Sequence, residues 1–243
     1  VVKVRYSYVD WAIPNTDATV RMGLQKYTLP NFTGIGSPIL DADGAGISIH
    51  NQFNDNIGTN LFWLRAANDN DPDKTTHDAH DAMDFIGLTV PMTFDGVKVT
   101  PWGMGGIIGQ DSFKNGNFDL GSIAAKGMLP LKGTAAIVAD SDKDHGSAWY
   151  GGIAADLTYF DPFRFAFDAA YGSVDLGTSK LDGHSFDVKR SGWYAALTAE
   201  YKLDSCTPGL LFWYASGDDD DPYNGSERLP SIDPDVYVTS YGF

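Results

Sequence analysis

Two histidines, His77 and His80, stand three residues apart among Asp73, Asp78, Asp81 and Asp84. Imidazoles at that spacing beside carboxylates can hold a transition metal, but the simpler reading is a solvated external loop, and no metal centre is expected. Asp41-x-Asp43-Gly44 opens like a calcium loop and then lacks the remaining ligands and the terminal Glu. Asp218, Asp219, Asp220 and Asp221 form an acidic run whose plain reading is an exposed loop tip, with divalent cations binding there only adventitiously. His50 and His184 have no nucleophile or base motif beside them, so no enzyme and no cofactor are expected. Cys206 is the one cysteine, which excludes an internal disulfide or cysteine metal cluster. What remains is fixed charge on strand-like segments: Lys3, Arg5, Arg21, Arg65, Lys98, Arg164 and Glu200. The net charge of −15 argues against nucleic acid as a partner, because phosphate binding needs clustered Lys and Arg.

These charges ride on a period-two pattern that recurs from end to end. Val2, Val4, Tyr6 and Tyr8 alternate with Lys3, Arg5 and Ser7; Val20, Met22 and Leu24 alternate with Arg21, Gly23 and Gln25. Phe163, Phe165, Phe167 and Tyr171 oppose Arg164, Ala166 and Asp168; Trp193, Leu197 and Tyr201 oppose Thr198, Glu200 and Lys202. The pattern predicts about eleven strands, near 1–11, 19–27, 46–53, 58–67, 84–94, 97–108, 147–160, 163–174, 191–203, 209–217 and 235–243. No run reaches the roughly 18 apolar residues of a membrane helix, and mean hydropathy is −0.21. Neither figure bears on a barrel, in which only every second residue faces lipid.

The connections alternate in length. Short ones fall at 12–18, 54–57, 95–96, 161–162 and 204–208, and long ones at 28–45, 68–83, 109–146, 175–190 and 218–234. Outer-membrane barrels have short periplasmic turns and long external loops, a regularity that a soluble sandwich does not need. The expected fold is therefore an all-β, transmembrane antiparallel β-barrel forming a single domain over 1–243. The first and eleventh strands would both run toward the periplasm, which cannot close an even-stranded barrel, so an incomplete barrel is expected. Aromatics near strand ends are expected to form the membrane-interface girdles: Trp11, Tyr27, Trp63, Phe94, Trp149, Tyr159, Phe163, Trp193 and Tyr201. Residues 120–131 have the composition of a short helix inside the longest loop.

The segment from Thr19 to Pro30, with Lys26-Tyr27-Thr28-Leu29-Pro30, and the segment from Pro38 to Gly44 resemble the general porins of bacterial outer membranes. The resemblance looks closest to the homotrimeric porins of sulfate-reducing deltaproteobacteria. It implies a sixteen-strand-type barrel, a homotrimer, contact with outer-membrane lipid and lipopolysaccharide, and a loop folded into the lumen. In that register the first strand here lies near the family's fourth, and 28–45 is the constriction loop. Asp41 and Asp43 would supply the acidic side of the constriction and Arg5 and Arg21 the basic side, with Lys3, Arg65, Lys98, Arg164 and Glu200 as secondary luminal charges. Opposed charges across a narrow aqueous gap make a field that polar solutes tolerate better than apolar ones. The expected function is passive diffusion of small hydrophilic solutes and ions; the alternatives are a substrate-specific porin or a soluble carbohydrate-binding module.

Overall fold

Backbone donors and acceptors of the alternating segments are met by one large ladder. The computed structural model describes residues 4–67, 82–109, 112, 127–130, 142–181, 183–219, 221 and 223–236. Its strands are β1 (Ser7–Ala12), β2 (Ala18–Thr28), β3 (Gly36–Ser37), β4 (Asp41–Gln52), β5 (Gly58–Ala67), β6 (Met83–Thr89), β7 (Met92–Phe94), β8 (Val97–Gly109), β9 (His145–Leu157), β10 (Phe163–Leu181), β11 (His184–Tyr201), β12 (Gly209–Ala215) and β13 (Asp235–Val236). Eleven of them form one antiparallel sheet in the order β1-β2-β4-β5-β6-β8-β9-β10-β11-β12, with β7 pairing β8. The protein is all-β. Among the described residues the sheet is not closed: β1 and β12 are its edges.

Three expectations change. The connection expected at 175–190 is instead a hairpin extension, because β10 and β11 stay paired out to Leu181↔His184, with a register shift between Asp175 and Thr178. The connection expected at 28–45 is shorter, since β4 begins at Asp41. Of the strand expected at 235–243, Asp235–Val236 pair with β3 rather than with the main sheet, and the remainder lies outside the described residues. Among the described residues the first and last strands of the main sheet are β1, which enters a short turn, and β12, which leaves one, so they run oppositely. The described strands alone therefore do not place two end strands in parallel, and the sheet they form is open.

The two faces of the sheet differ in kind. One is covered by segments 29–40, 127–130 and 226–236, and carries the buried core of Tyr27, Phe62, Leu64, Phe85, Trp102, Met104, Tyr150, Val188 and Tyr194. Glycines make room for its rings: a Cβ at Gly87 would strike Phe62, at Gly106 Phe85, at Gly152 Trp102 and at Gly172 Tyr150. Each ring thus lies over a glycine on the neighbouring strand, a close approach that only Gly permits.

The other face is bare, and it is apolar as well. Val9, Met22, Ile47, Leu61, Ile86, Ile107, Phe167, Leu197 and Phe212 are all exposed on it. Buried positions of the covered face include Gln25, Ser48, Thr100, Asp168 and Thr198. They sit among the buried apolar residues of that face, so both faces carry apolar side chains and one of them is left exposed, which a water-soluble sheet avoids.

Aromatics mark two levels on the bare face. Tyr171 pairs with Trp193, and Phe163 pairs with Tyr201, eight residues further along each strand. That separation is roughly 26 Å along the strand. The in-register row Trp193–Tyr171–Gly151–Gly103–Leu88–Leu61–Ile49–Val20–Trp11 joins the upper level on β11 to the short-turn end of β1. It crosses eight strand spacings, roughly 38 Å. If Trp11 shares the level of Tyr201, the strands tilt by about 35°, the lower end of the range for membrane barrels. A level line then climbs about one residue per strand. From Trp193 it meets Trp149, Asp84 and Asp43, and passes within one residue of Arg65 and Lys26. Eight residues lower it passes within two residues of Phe163, Tyr159, Phe94, Phe53 and Trp11, all exposed aromatics.

Candidate functional site

The covered face is built by a segment that turns inward. Leu29 donates to the carbonyl of Leu40 at 3.1 Å, closing residues 29–40 into a loop. Inside it, Asn31 Nδ2 donates to Gly36 O at 2.7 Å, and Asn31 Oδ1 accepts from the amides of Gly34 and Gly36 at 3.2 and 3.3 Å. Gly36 has φ of 99° and carries a Cβ-free approach to Asp235 of β13. Leu29, Ile35, Ile39 and Leu40 are buried, so the loop docks by its apolar residues.

Its tip is latched to β10 and β11. Asp168, 4% exposed, accepts from Phe32 N at 2.9 Å, Thr33 N at 2.9 Å, Asn31 Nδ2 at 2.8 Å and the Thr33 hydroxyl. Thr198 Oγ1 donates to Thr33 O at 2.8 Å. Arg164 donates to Phe32 O at 2.9 Å, to Asp156 at 2.7 Å and to Glu200 at 2.8 Å. Charge-assisted bonds of this kind are the stronger class, and here they hold a backbone rather than a reactive group.

A second layer backs the loop on its long-loop side. Ser231 donates to Gly127 O at 2.9 Å, Ile232 to Ile39 O at 2.8 Å and Asp41 N to Asp233 O at 2.8 Å. Buried Arg190 donates to the carbonyls of Leu229 at 2.9 Å and of Leu129 and Arg228 at 3.4 Å. Burial first, then Asp41, Asp235 and Asp43, raise the carboxyl of Asp233 above its ordinary value. At the base of the β10–β11 extension, Asp142 is held low by accepting from Thr178 N at 2.7 Å and Thr178 Oγ1 at 3.0 Å.

The predicted charges separate into two groups. Arg164 and Glu200 do face the covered side and meet there. Lys98 shares that parity, in register with Asp156. Arg21 also faces it, but both its bonds, at 2.7 and 2.8 Å, go to Asp10, and it does not oppose Asp41 or Asp43. The other assignments are corrected. Asp41 and Asp43 are not in the loop; they lie on β4, on the parity of Ile47 and Ile49, bonded to Lys26 at 2.8 Å and Arg5 at 2.6 Å. Arg5 is therefore a direct ion-pair partner of Asp43, not a charge across a gap from it. Arg65 pairs with Asp84 at 2.7 Å, on the parity of Leu61 and Ile86. The physical reason is register: the strands enter from Asp41, and one residue of offset moves a side chain to the opposite face.

Tyr27 is also corrected. It is 4% exposed on the covered face, with its ring 5.6 Å from Phe62 and its hydroxyl donating to Trp63 O at 3.3 Å. Trp11, Phe94, Trp149, Tyr159, Phe163, Trp193 and Tyr201 are exposed, and Trp63 stands beneath Arg65 on the same side. Lys3, Asp220, His77, His80, Phe243 and most of 120–131 lie outside the described residues. Asp218, Asp219 and Asp221 accept from the amides of Glu227, Asp221 and Tyr223, so they shape their own loop. Among the described residues no group of three His, Cys, Asp or Glu is placed to hold a metal.

Asp168, Thr198, Asn31, Asp156 and Arg190 escaped the sequence reading. A signal was present: Asp168 stands between Ala166 and Ala170 on its own parity, small neighbours that leave space for another backbone. No protein-family model matches the chain, and no curated protein matches it.

Proposed function

We propose that this chain forms wall and constriction of an outer-membrane β-barrel porin, a passive channel for small hydrophilic solutes and ions. The observation that carries the reading is the exposed apolar face of the sheet, banded by aromatics. A bare apolar face is bounded by two aromatic levels, and the opposite face carries a buried core with polar residues set into it and holds an inward loop. At about 35° of tilt, roughly 26 Å of strand spans about 22 Å of height, near the apolar band of such barrels. On β10 and β11 that band contains only Phe165, Phe167, Ala169, Ala195, Leu197 and Ala199 on the bare side. At the upper level on β2–β6 the ion pairs Lys26–Asp41 and Arg65–Asp84 take the place of the aromatics.

The mechanism has no chemical step. The loop tip narrows the lumen, and Asp168, Thr198 and Arg164 fix its position. Arg164, Asp156 and Glu200 present both signs of charge at its edge, so a solute that replaces water there must be polar. The reading requires the edges β1 and β12 to be hydrogen-bonded in the membrane. It takes outer-membrane lipid, lipopolysaccharide and two further copies in a homotrimer as its partners.

The test is reconstitution of the full-length gene product into planar bilayers. Discrete conductance steps are expected. A monodisperse, detergent-free monomer that never conducts would refute the channel. Blockade of the current by one sugar or anion, and not by others, would favour the substrate-specific form.

A further inference from the structure

One aromatic on the covered face is left open. Tyr27, Phe62, Phe85, Trp102, Tyr150 and Tyr194 are buried there beneath the segments that cross the sheet. Trp213 of β12 shares their face, in register with buried Ala196, and is 53% exposed. Beside it a cavity of about 270 Å³ opens between β11, β12 and the covering layer. Tyr194 and Trp213 line it from the sheet, and Pro38 and Leu229 from the layer.

Two guanidiniums join that lining, Arg190 from β11 and Arg228 from the layer. Arg190 is buried and is held in place by the carbonyls of Leu229, Leu129 and Arg228. Arg228 is exposed and, among the described residues, takes part in no ion pair. Burial first, and then the charge of Arg228, hold the Arg190 guanidinium down to about 10, with Tyr150 and Asp218 opposing. Asp218 and Glu227 accept from the amides of Glu227 and Asp219, within their own loop. Among the described residues no acid lines the cavity. Two like charges therefore meet at a space with an indole on its wall, and an anion there relieves their repulsion.

Resting on the channel reading above for its place in the lumen, we propose that this cavity binds a small organic carboxylate with a planar apolar body. Arg228 donates to the carboxylate from the open side, Arg190 adds its charge from the floor, and the apolar body lies along Trp213. An arginine fork fixes the direction of a carboxylate as well as its charge, and a flat ring gains by stacking on the indole. The volume is below the roughly 300–1,000 Å³ of sites for drug-sized ligands and suits a single-ring solute. Arg190 stands three residues beyond Trp193, toward the long loops. A solute entering from that side meets the cavity before it reaches the loop tip at Asp168 and Thr198.

The experiment titrates the full-length protein in detergent micelles with benzoate and, separately, with its neutral isostere benzamide, read by saturation-transfer NMR. Benzoate is expected to bind with a dissociation constant of about 1 mM or below, and benzamide at least about tenfold more weakly. Arg228→Gln should weaken benzoate about tenfold and leave benzamide unchanged, while Trp213→Ala should weaken both. Benzoate bound no better than benzamide by the unsubstituted protein overturns the inference, and so does wild-type benzoate affinity in Arg228→Gln. Binding is read without current, so the two readings fail separately. A protein that conducts in bilayers without telling the two ligands apart loses this site and keeps the channel. One that binds benzoate as expected and never conducts keeps the site and loses the channel. The comparison of the two ligands on the unsubstituted protein decides the matter even where a variant fails to fold.

Discussion

Asp168→Ala isolates the latch. The carboxylate accepts four donors from the loop tip, two of them the backbone amides of Phe32 and Thr33 at 2.9 Å. A hydrogen bond to a charged acceptor contributes about 1.5–3 kcal/mol net, but four bonds to one carboxylate do not add. A buried amide left unpaired costs about 1–3 kcal/mol, and two are left, with water reaching the less buried Phe32. The opening free energy of the tip should therefore fall by about 3 kcal/mol, roughly a hundredfold in its open population. The rest of the loop stays docked through Leu29, Ile35, Ile39 and the β3–β13 ribbon, so the global fold persists. Hydrogen exchange read at Phe32 and Thr33 should accelerate roughly a hundredfold, while amides inside β10 and β11 keep their protection. In bilayers the same variant should show noisier steps. Asp168→Asn should fall between, since one amide oxygen remains to accept while its NH2 group faces donors. Exchange at Phe32 and Thr33 unchanged in the alanine variant would refute the latch, whatever the channel does.

Leu197 lies midway between Trp193 and Tyr201 and is 44% exposed. Leu197→Arg should cost about 2–4 kcal/mol in folding into vesicles if the bare face meets lipid. In water an exposed site of this kind costs under about 0.5 kcal/mol, and a penalty that small would argue against the membrane. Gly36→Val forces a β-branched residue to φ of 99° and drives its Cβ into the carbonyl of Asp235. A loss of about 2 kcal/mol or more is expected by denaturant titration, with release of β13; an unchanged midpoint would count against the ribbon as a structural element. The two shifted carboxyls act in opposite senses with pH. Asp142, depressed, lends stability above the ordinary carboxylate range that is lost as pH falls through its lowered value. Asp233, raised, lends stability below that range that is lost as pH rises through its raised value. Asp233→Asn should therefore raise the melting temperature near pH 7 and leave it nearly unchanged near pH 3; a melting curve lowered near pH 7 would contradict the sign.

The strands were legible because alternation is local. A run such as Phe163 to Tyr171 specifies an extended segment with one apolar and one mixed side, whatever lies beside it. Turn and loop lengths then placed the five short reversals correctly, because Gly, Pro, Asn and Asp act on the chain next to them. Arg164 and Glu200 share the parity opposite the aromatics for the same reason: their strands are long and one parity is heavily aromatic.

Tertiary structure decided everything that depends on register or on distant chain. Alternation near Arg5 and Arg65 reads the same under a one-residue offset, so only the ladder could put those guanidiniums on the bare side with Asp43 and Asp84. Residues 175–190 have no strong apolar parity, and they became a hairpin because β10 and β11 were already aligned beneath them. Asp168 offered one carboxylate between two alanines; its role exists only because Asn31 to Thr33, more than a hundred residues away in sequence, arrive over it. The sequence determined that this protein alternates, and which residues are extended. Which face is covered, and by what, followed from contacts that no local pattern contains.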